Sequence, residues 1–412
     1  MKKLIASTGN AGPKVRSDCE IRLELTSGGG IVIDLTSRVK ALYGESIKSQ
    51  VSSLLDFFGI VNALVIINDS GALPFVISAR LEASVKQLIQ TDLEYLPELI
   101  PENCYSTERD RFRFSRLYLP GNTPGLMLNA GLHSAEGIIL DLEDSVAPDK
   151  KDEARFLVRN ALRQINFYGA ERMVRINQGE RGLEDLGFVI PHNVNLILIP
   201  KCENAEYVRN ADAEIDKLKK RYNLTNCVYL MPIIESALGV ENSYDIARSS
   251  KNVVAMALGL EDYTADLGVP RSAAGNESFY ARTRIVVAAK AAGIQPIDSV
   301  FSDIGDMEGL MQNVLVSKAL GFEGMGCIHP RQIQVIRKGF APDAEEIDKS
   351  KKIVAAFETA RQNGQGVVAL GTKMIDPPVV SKAQKTLDLA IRLGLLKSEW
   401  MNMLTAGGNN EL

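Results

Sequence analysis

The chain has 412 residues, 45% apolar and 24% charged, with a formal net charge of −4. That balance excludes the basic footprint of a nucleic-acid binder and any electrostatic pull toward an anionic membrane, leaving a small molecule or another protein as the expected partner. Single cores rarely grow beyond roughly 250 residues, so two or three domains are expected.

Five cysteines (Cys19, Cys104, Cys202, Cys227, Cys327) form no Cys-x-x-Cys pair, and the three histidines (His133, His192, His329) are widely spaced. This argues against zinc or a disulfide framework and for a reducing, cytoplasmic setting. The start, "MKKLIASTGNAG", is too weakly apolar for a signal peptide, and no stretch approaches the roughly 18 apolar residues of a membrane span.

In chain order, "CEIRLEL" (19–25) alternates like a half-buried strand, "TSGGG" turns, and "IVIDL" alternates again, which reads as a hairpin. "SRVKALYGESIKSQVSSLLDFFG" has helical spacing and a closing glycine; "ALVIIND" is a strand, and "LPFVISARLEASVKQLI" reads as a further strand followed by a helix. Residues 1–92 therefore form a small α+β module, and the charged, proline-containing segment 93–112 is a linker. Eight apolar strand candidates follow: "SRLYLPG", "GIILDLEDS", "RMVRINQ", "NLILIPK", "VYLMPIIES", "VVAMALGLED", "IQPIDSVFSD" and "FEGMGCIHP". Most are separated by helix-length segments, with polar residues gathered at their C-terminal ends. That pattern predicts a (β/α)8 barrel over 113–335 rather than an open doubly wound sheet, since no strand leads into G-x-G-x-x-G. Residues 336–412 form an appendage: a helix over "DAEEIDKSKKIVAAFETARQNG", the proline-broken "ALGTKMIDPPVV", and a helix over "VVSKAQKTLDLAIRLGLL".

Glu235 and Asp262 end the predicted fifth and sixth strands, and two carboxylates with open positions suit Mg²⁺, although strand-end acids also cap helices. Asp141, Glu143 and Asp144 crowd the second strand end, where they need cations or waters. Arg155 and Arg175 offer fixed positive charge or surface ion pairs. Lys201 is a Schiff-base candidate or a structural lysine. Asp298, Ser299 and Asp303 cluster at the seventh strand, and His329 ends the eighth as a base or a backbone donor.

"FSRLYLPGN", "DLEDSVAPDKKDEAR", "RIN", "LIPK", "IIESALGV", "ALGLEDYTADLG", "GIQPIDSVFSD" and "CIHPRQI" together resemble the citrate lyase β-subunit and its relatives in the HpcH/HpaI aldolase superfamily. The resemblance implies a (β/α)8 barrel, usually trimeric, with Glu235 and Asp262 as Mg²⁺ ligands, Glu235 also near substrate, Arg155 as a substrate-binding arginine and Tyr118 beside the thioester arm. It also implies that "KMIDPPVV" is a lid closing over a neighbouring subunit, with Asp376 as the acid that protonates the enolate. Relatives that use free coenzyme A have a lysine-rich run after P-G-N, where this chain reads "TPGLMLNAG".

"GPKVRSDCEIRLEL", "IDLTSRVKALYGESI" and "DSGALPFVISARLEA" resemble the γ-subunit of citrate lyase, an acyl carrier protein. Its arm, phosphoribosyl-dephospho-coenzyme A or a related thioester carrier, hangs from a serine. Arg16 stands at that position here, and Ser17, one residue later, is the attachment candidate or a turn cap beside Asp18. The expected function is Mg²⁺-dependent cleavage of a citryl or citramalyl thioester on the carrier into an acetyl thioester and oxaloacetate or pyruvate. A separate α-subunit-like transferase would load the carrier. The alternatives are a lyase for free coenzyme A thioesters and a noncatalytic carrier or scaffold.

Overall fold

A computed structural model describes residues 4–272, 274–362, 367–370 and 373–401. The chain divides into two compact units, Met1–Ile333 and Gln334–Leu412.

The first unit opens with strands β1 (Ile5–Gly9), β2 (Cys19–Leu25), β3 (Ile31–Ser37) and β4 (Ala63–Asp69), in the sheet order β1-β2-β4-β3. The alternation of "CEIRLEL" and "ALVIIND" buries one face of β2 and β4. β2 and β3 are not the hairpin expected from their short connection: β4 lies between them, antiparallel to β2 and parallel to β3. The alternating apolar face of β4 claims the central place, while β3, exposed along most of its length, sits at the edge. The intervening loop spans the end of β4, held by Thr26 N–H on the Asn62 carbonyl and Ala63 N–H on that of Gly30. β3, helix α1 (Lys40–Phe57) and β4 make a parallel crossover, with Ile47, Val51, Leu54 and Leu55 of α1 at helical spacing turned into the core.

The expected extra strand before the last helix of the module is absent. Leu73 is extended and Pro74 occupies the first turn, so "PFVISARLEASVKQL" is helical throughout, as α2 (Pro74–Leu88). Twelve of its fifteen residues are buried, more than one face can account for, because α2 lies between its own sheet and the barrel.

The barrel strands are β5 (Ser115–Pro120), β6 (Gly137–Asp141), β7 (Glu171–Arg175), β8 (Leu196–Ile199), β9 (Tyr229–Ile234), β10 (Ala255–Leu258), β11 (Gln295–Ile297) and β12 (Met325–Cys327). They are parallel in the order β11-β10-β9-β8-β7-β6-β5-β12, and the parallel bridge Asp298–Met325 closes the ring. Ile139, Met173, Leu198, Met231, Ile233 and Ile297 are among the side chains that fill it, so the interior is a packed core.

Segment 93–112 is strapped to the barrel. Asn103 donates to the Leu162 and Ile165 carbonyls, Tyr105 to that of Ala170, and Arg109 to those of Lys251 and Val253. Arg113 then forms a buried ion pair with Glu171 at 2.7 Å. The α+β module is fastened at a second place. Arg80 of α2 makes a two-point contact with Asp18 at 2.9 and 3.0 Å and reaches Glu153 of helix α3 (Lys151–Gln164) at 3.1 Å. Glu82 pairs with Arg159 of α3, and all five of these side chains are buried. An acid or guanidinium buried this deeply is tolerated only when paired, so this interface holds one specific arrangement.

The second unit packs α4 (Ala344–Gln362) against α5 (Pro377–Arg392) through Ile347, Val354, Leu387 and Ala390, with Trp400 beside them. Asn363 and Gly364, read as the stop of α4, and Gly371 and Thr372 of the proline-broken stretch lie outside the described residues. Val368–Leu370 and Lys373–Ile375 pair as a short antiparallel ribbon. Pro377 and Pro378 of the proline-broken stretch form the first turn of α5, where a missing N–H costs no helical bond.

Candidate active site

The eight parallel strands all deliver their last residues to one rim, and a cavity of about 270 Å³ opens there. Tyr118, Asp141, Arg175, Glu235, Asp262 and Ser299 are among its lining residues.

Glu235 follows β9 directly and is 7% exposed; its Oε2 accepts from the Lys201 N–H at 3.0 Å. Burial pushes its carboxyl up to about 7, with Arg175 opposing and Asp262 adding to the rise. A Cβ on Gly259 would lie 2.6 Å from Glu235 Oε1, so only glycine lets this carboxylate lie against the end of β10. Asp262 stands in the first turn of a short helix, Leu260–Asp266, whose leading N–H donates to Ser299 Oγ at 3.0 Å.

Arg175, the last residue of β7, makes a bidentate pair with Asp141 at 2.7 Å on both arms and contacts Glu143 at 3.0 Å. Burial alone would raise the Asp141 carboxyl, but the guanidinium outweighs it and holds the group below its ordinary value. The Arg175 guanidinium also lies 5.4 Å from the Tyr118 ring centroid, fixing that ring in the cavity wall. Lys201 reaches Glu143 at 3.2 Å, Asp144 at 3.4 Å and Asp262 at 3.5 Å. Its partial burial disfavours the charge, yet Glu143, Asp144 and Asp262 raise its pKa, so the amine stays protonated and is no Schiff-base nucleophile.

Three expected residues, Glu235, Asp262 and Tyr118, therefore meet in one cavity. Arg155 does not join them. It lies on α3, where its Nε donates to Asp185 at 2.6 Å and its Nη2 to Glu184 at 3.0 Å, so its charge is consumed in a tie between barrel helices. Arg175 lines the cavity instead, a residue that its strand-end position marked in the sequence but that equal chemistry with Arg155 obscured. Asp298 pairs with Arg282 and Ser317 while also lining the cavity, Asp303 caps its own loop, and His329, whose Nδ1 accepts from the Arg331 N–H, lines the groove beside the cavity. Asp376 lies in the second unit as the N-cap of α5, accepting from the Val379 N–H at 3.3 Å.

Ser17 has a left-handed backbone, φ 56°, and is pinned from both sides: its N–H donates to the Ser70 carbonyl, and the next residue is the buried Asp18. A Cβ on Gly125, in the turn after β5, would lie 2.9 Å from the Arg16 carbonyl oxygen, so the Arg16–Ser17 loop rests against the barrel rim. Gly125 also lines a groove of about 630 Å³ that shares Tyr118, Asp141 and Ser145 with the cavity.

Among the described residues no cluster of three or more His, Cys, Asp or Glu side chains gathers as a metal cage. Two carboxylates on neighbouring strand ends, one pushed up by its burial and further by the other's charge, nevertheless fit Mg²⁺, which takes one or two protein carboxylates and keeps several waters.

Residues 115–330 match the family model "HpcH/HpaI aldolase/citrate lyase", and residues 7–88 match "Malonate decarboxylase delta subunit (MdcD)" in an acyl-carrier family. The chain is 37% identical to the citrate lyase subunit beta of Leuconostoc mesenteroides over 70% of its own length and 97% of the relative's. It is 34% identical to the human mitochondrial citramalyl-CoA lyase over 71% and 90%. A crystal structure of CitE from Mycobacterium tuberculosis in complex with magnesium, acetoacetate and coenzyme A aligns with a TM-score of 0.58 at 29% identity, covering 69% of this chain and 99% of that one. The barrel, its C-terminal cavity and these matches agree: the chain belongs to the HpcH/HpaI aldolase/citrate lyase family, carries a fused acyl-carrier-like domain, and is a lyase of the oxo-acid type.

Proposed function

We propose that the chain cleaves a citryl-type thioester borne by its own carrier-like module, releasing a 2-oxo acid and leaving an acetyl thioester. The observation that carries this reading is the meeting of Glu235, Asp262 and Arg175 in a cavity that shares lining residues with the groove at Gly125, the glycine against which the Arg16 carbonyl rests.

Held by Glu235 and Asp262, Mg²⁺ would supply Lewis-acid polarisation of the substrate's hydroxyl and adjacent carboxylate. The hydroxyl passes its proton to solvent water as the carbon–carbon bond breaks; the electron pair passes to the thioester enolate, and the alcohol carbon becomes a ketone. Arg175, in place of Arg155, presents fixed charge to the developing enolate oxygen, a role in which one donor contributes about 3–4 kcal/mol. Asp376, brought by the second unit of a neighbouring subunit in a trimer, donates the proton that the enolate carbon needs. Tyr118 packs against the thioester, and Ser17 carries the arm, loaded by a separate transferase.

Arg16 at the usual attachment position supports a second reading, in which the same barrel takes free coenzyme A thioesters. Citryl and citramalyl thioesters, on coenzyme A and on the native protein, should be incubated with Mg²⁺ while oxaloacetate and pyruvate are measured. Cleavage abolished by EDTA is expected. Intact-mass measurement of protein from its native host separates the readings, since only the carrier reading predicts an added arm on Ser17. No cleavage of any of these thioesters would leave a noncatalytic carrier or scaffold.

A further inference from the structure

Arg116 is a second guanidinium lining the cavity beside Arg175, and among the described residues no carboxylate forms an ion pair with it. It stands two residues before Tyr118 on β5, so both side chains point inward, and it lines the cavity together with Tyr118 and Glu235. The residue is 1% exposed. Its Nη1 donates to the thioether sulfur of Met231 at 2.9 Å, a weak acceptor, and its Nε has no protein partner. Among the described residues it makes no ion pair. Arg113 on the same strand approach is neutralised by Glu171, and Arg175 by Asp141 and Glu143. Burial lowers the Arg116 pKa to about 10, a fall that Tyr118 and the more distant Glu171 only partly oppose, and the value is still far above neutrality, so the side chain stays cationic. A lone buried cation is costly unless an anion completes it, and the cavity is where an anion can reach it.

We propose that Arg116 binds a second carboxylate of the substrate, at the end of the 2-oxo acid remote from the scissile bond, and so selects thioesters that release a dicarboxylic 2-oxo acid. This rests on the lyase reading above and decides what the sequence left open, oxaloacetate against pyruvate. Carboxylate recognition is suited to arginine, whose planar fork can donate two bonds to one carboxylate. The neutral methyl of a citramalyl substrate leaves the cation unpaired, whereas the carboxymethyl of a citryl substrate satisfies it. A site built to pair with a group rejects the analogue lacking it more strongly than a merely apolar pocket does.

The test compares the wild type with Arg116→Met and Arg116→Lys. The ratio of kcat/KM for citryl over citramalyl thioester is expected to fall at least 100-fold in Arg116→Met and less in Arg116→Lys. As an activity-independent readout, oxaloacetate with Mg²⁺ should raise the wild-type Tm more than pyruvate does, and the difference should vanish in Arg116→Met. An unchanged ratio, or an oxaloacetate-specific Tm shift that survives Arg116→Met, overturns the assignment. If the wild type cleaves neither thioester, the lyase reading fails on its own, while the presence or absence of the Arg116-dependent Tm shift still decides this site. Arg116→Lys keeps a cation of different geometry, so the comparison stands even where Arg116→Met folds poorly.

Discussion

Single residues in this chain separate into those that act through charge in the cavity and those that spend their charge on structure. Arg155 and Arg175 make the contrast. Arg155→Lys loses the fork that spans Asp185 and Glu184, and is expected to lower stability by about 1–3 kcal/mol with little change in kcat. Arg175→Lys keeps a cation beside Asp141 but is expected to cut kcat at least about 10²-fold, as for a lost oxyanion donor. Steady-state kinetics beside urea unfolding of both variants checks the pair. Asp376→Asn is informative for a different reason: asparagine caps helices as well as aspartate does, so α5 stays capped while the proton is lost. Turnover is expected to fall at least ~100-fold with Mg²⁺ binding unchanged by calorimetry; a near-normal rate removes Asp376 from the reaction.

His192 makes a prediction about pH. Its Nδ1 lies 3.1 Å from Arg163 Nη1 and accepts from it, and burial, with Arg159 and Arg163 nearby, pushes the imidazole down to about 3. The unfolded chain binds a proton near pH 6.5 where the folded chain does not, so stability is lost as pH falls from about 6.5 toward 3. Unfolding at pH 7 and pH 5 should show the wild type losing about 2 kcal/mol more than His192→Gln.

At the scale of elements, α2 and α3 show what pattern reading reaches and where it stops. The spacing of α1 marked its buried stripe, but twelve buried residues on α2 belong to two cores at once, and "FVIS" taken alone reads as strand. The neighbour explains why Glu82 is buried on it, meeting Arg159 of α3, and completes the pairing of Arg80, which holds Asp18 of its own module and Glu153 of α3. Arg159→Met should leave Glu82 buried with only Lys86, 4.0 Å away, as a counter-charge and destabilise the unit by about 2–4 kcal/mol, measured by denaturant unfolding. The β2–β4–β3 order has the same character, since a five-residue loop fits a hairpin and a strand-skipping connection equally well.

For the whole molecule, the buried ion pairs and the rim contact make the carrier-like module a fixed part of the lyase unit. A Cβ on Gly125 would lie 3.9 Å from that of Arg16, within the separation a disulfide needs, after a small shift away from the Arg16 carbonyl. Arg16→Cys with Gly125→Cys is therefore expected to cross-link under mild oxidation, detected by peptide mass, with lyase activity retained. Activity lost on cross-linking and restored by reductant would show that the module must move to deliver its substrate.

The sequence by itself determined the elements and their chemistry, because strand-end acids and eight apolar runs are local signals: the barrel, the Glu235–Asp262 pair and the carrier resemblance were all legible. Tertiary structure decided between Arg155 and Arg175: both carry the same charge, and only the fold shows that Arg155 is tied to Asp185 between helices while Arg175 lines the cavity beside Asp141. It also showed that Arg116 has no ion-pair partner among the described residues, a fact about missing neighbours that no local pattern can encode.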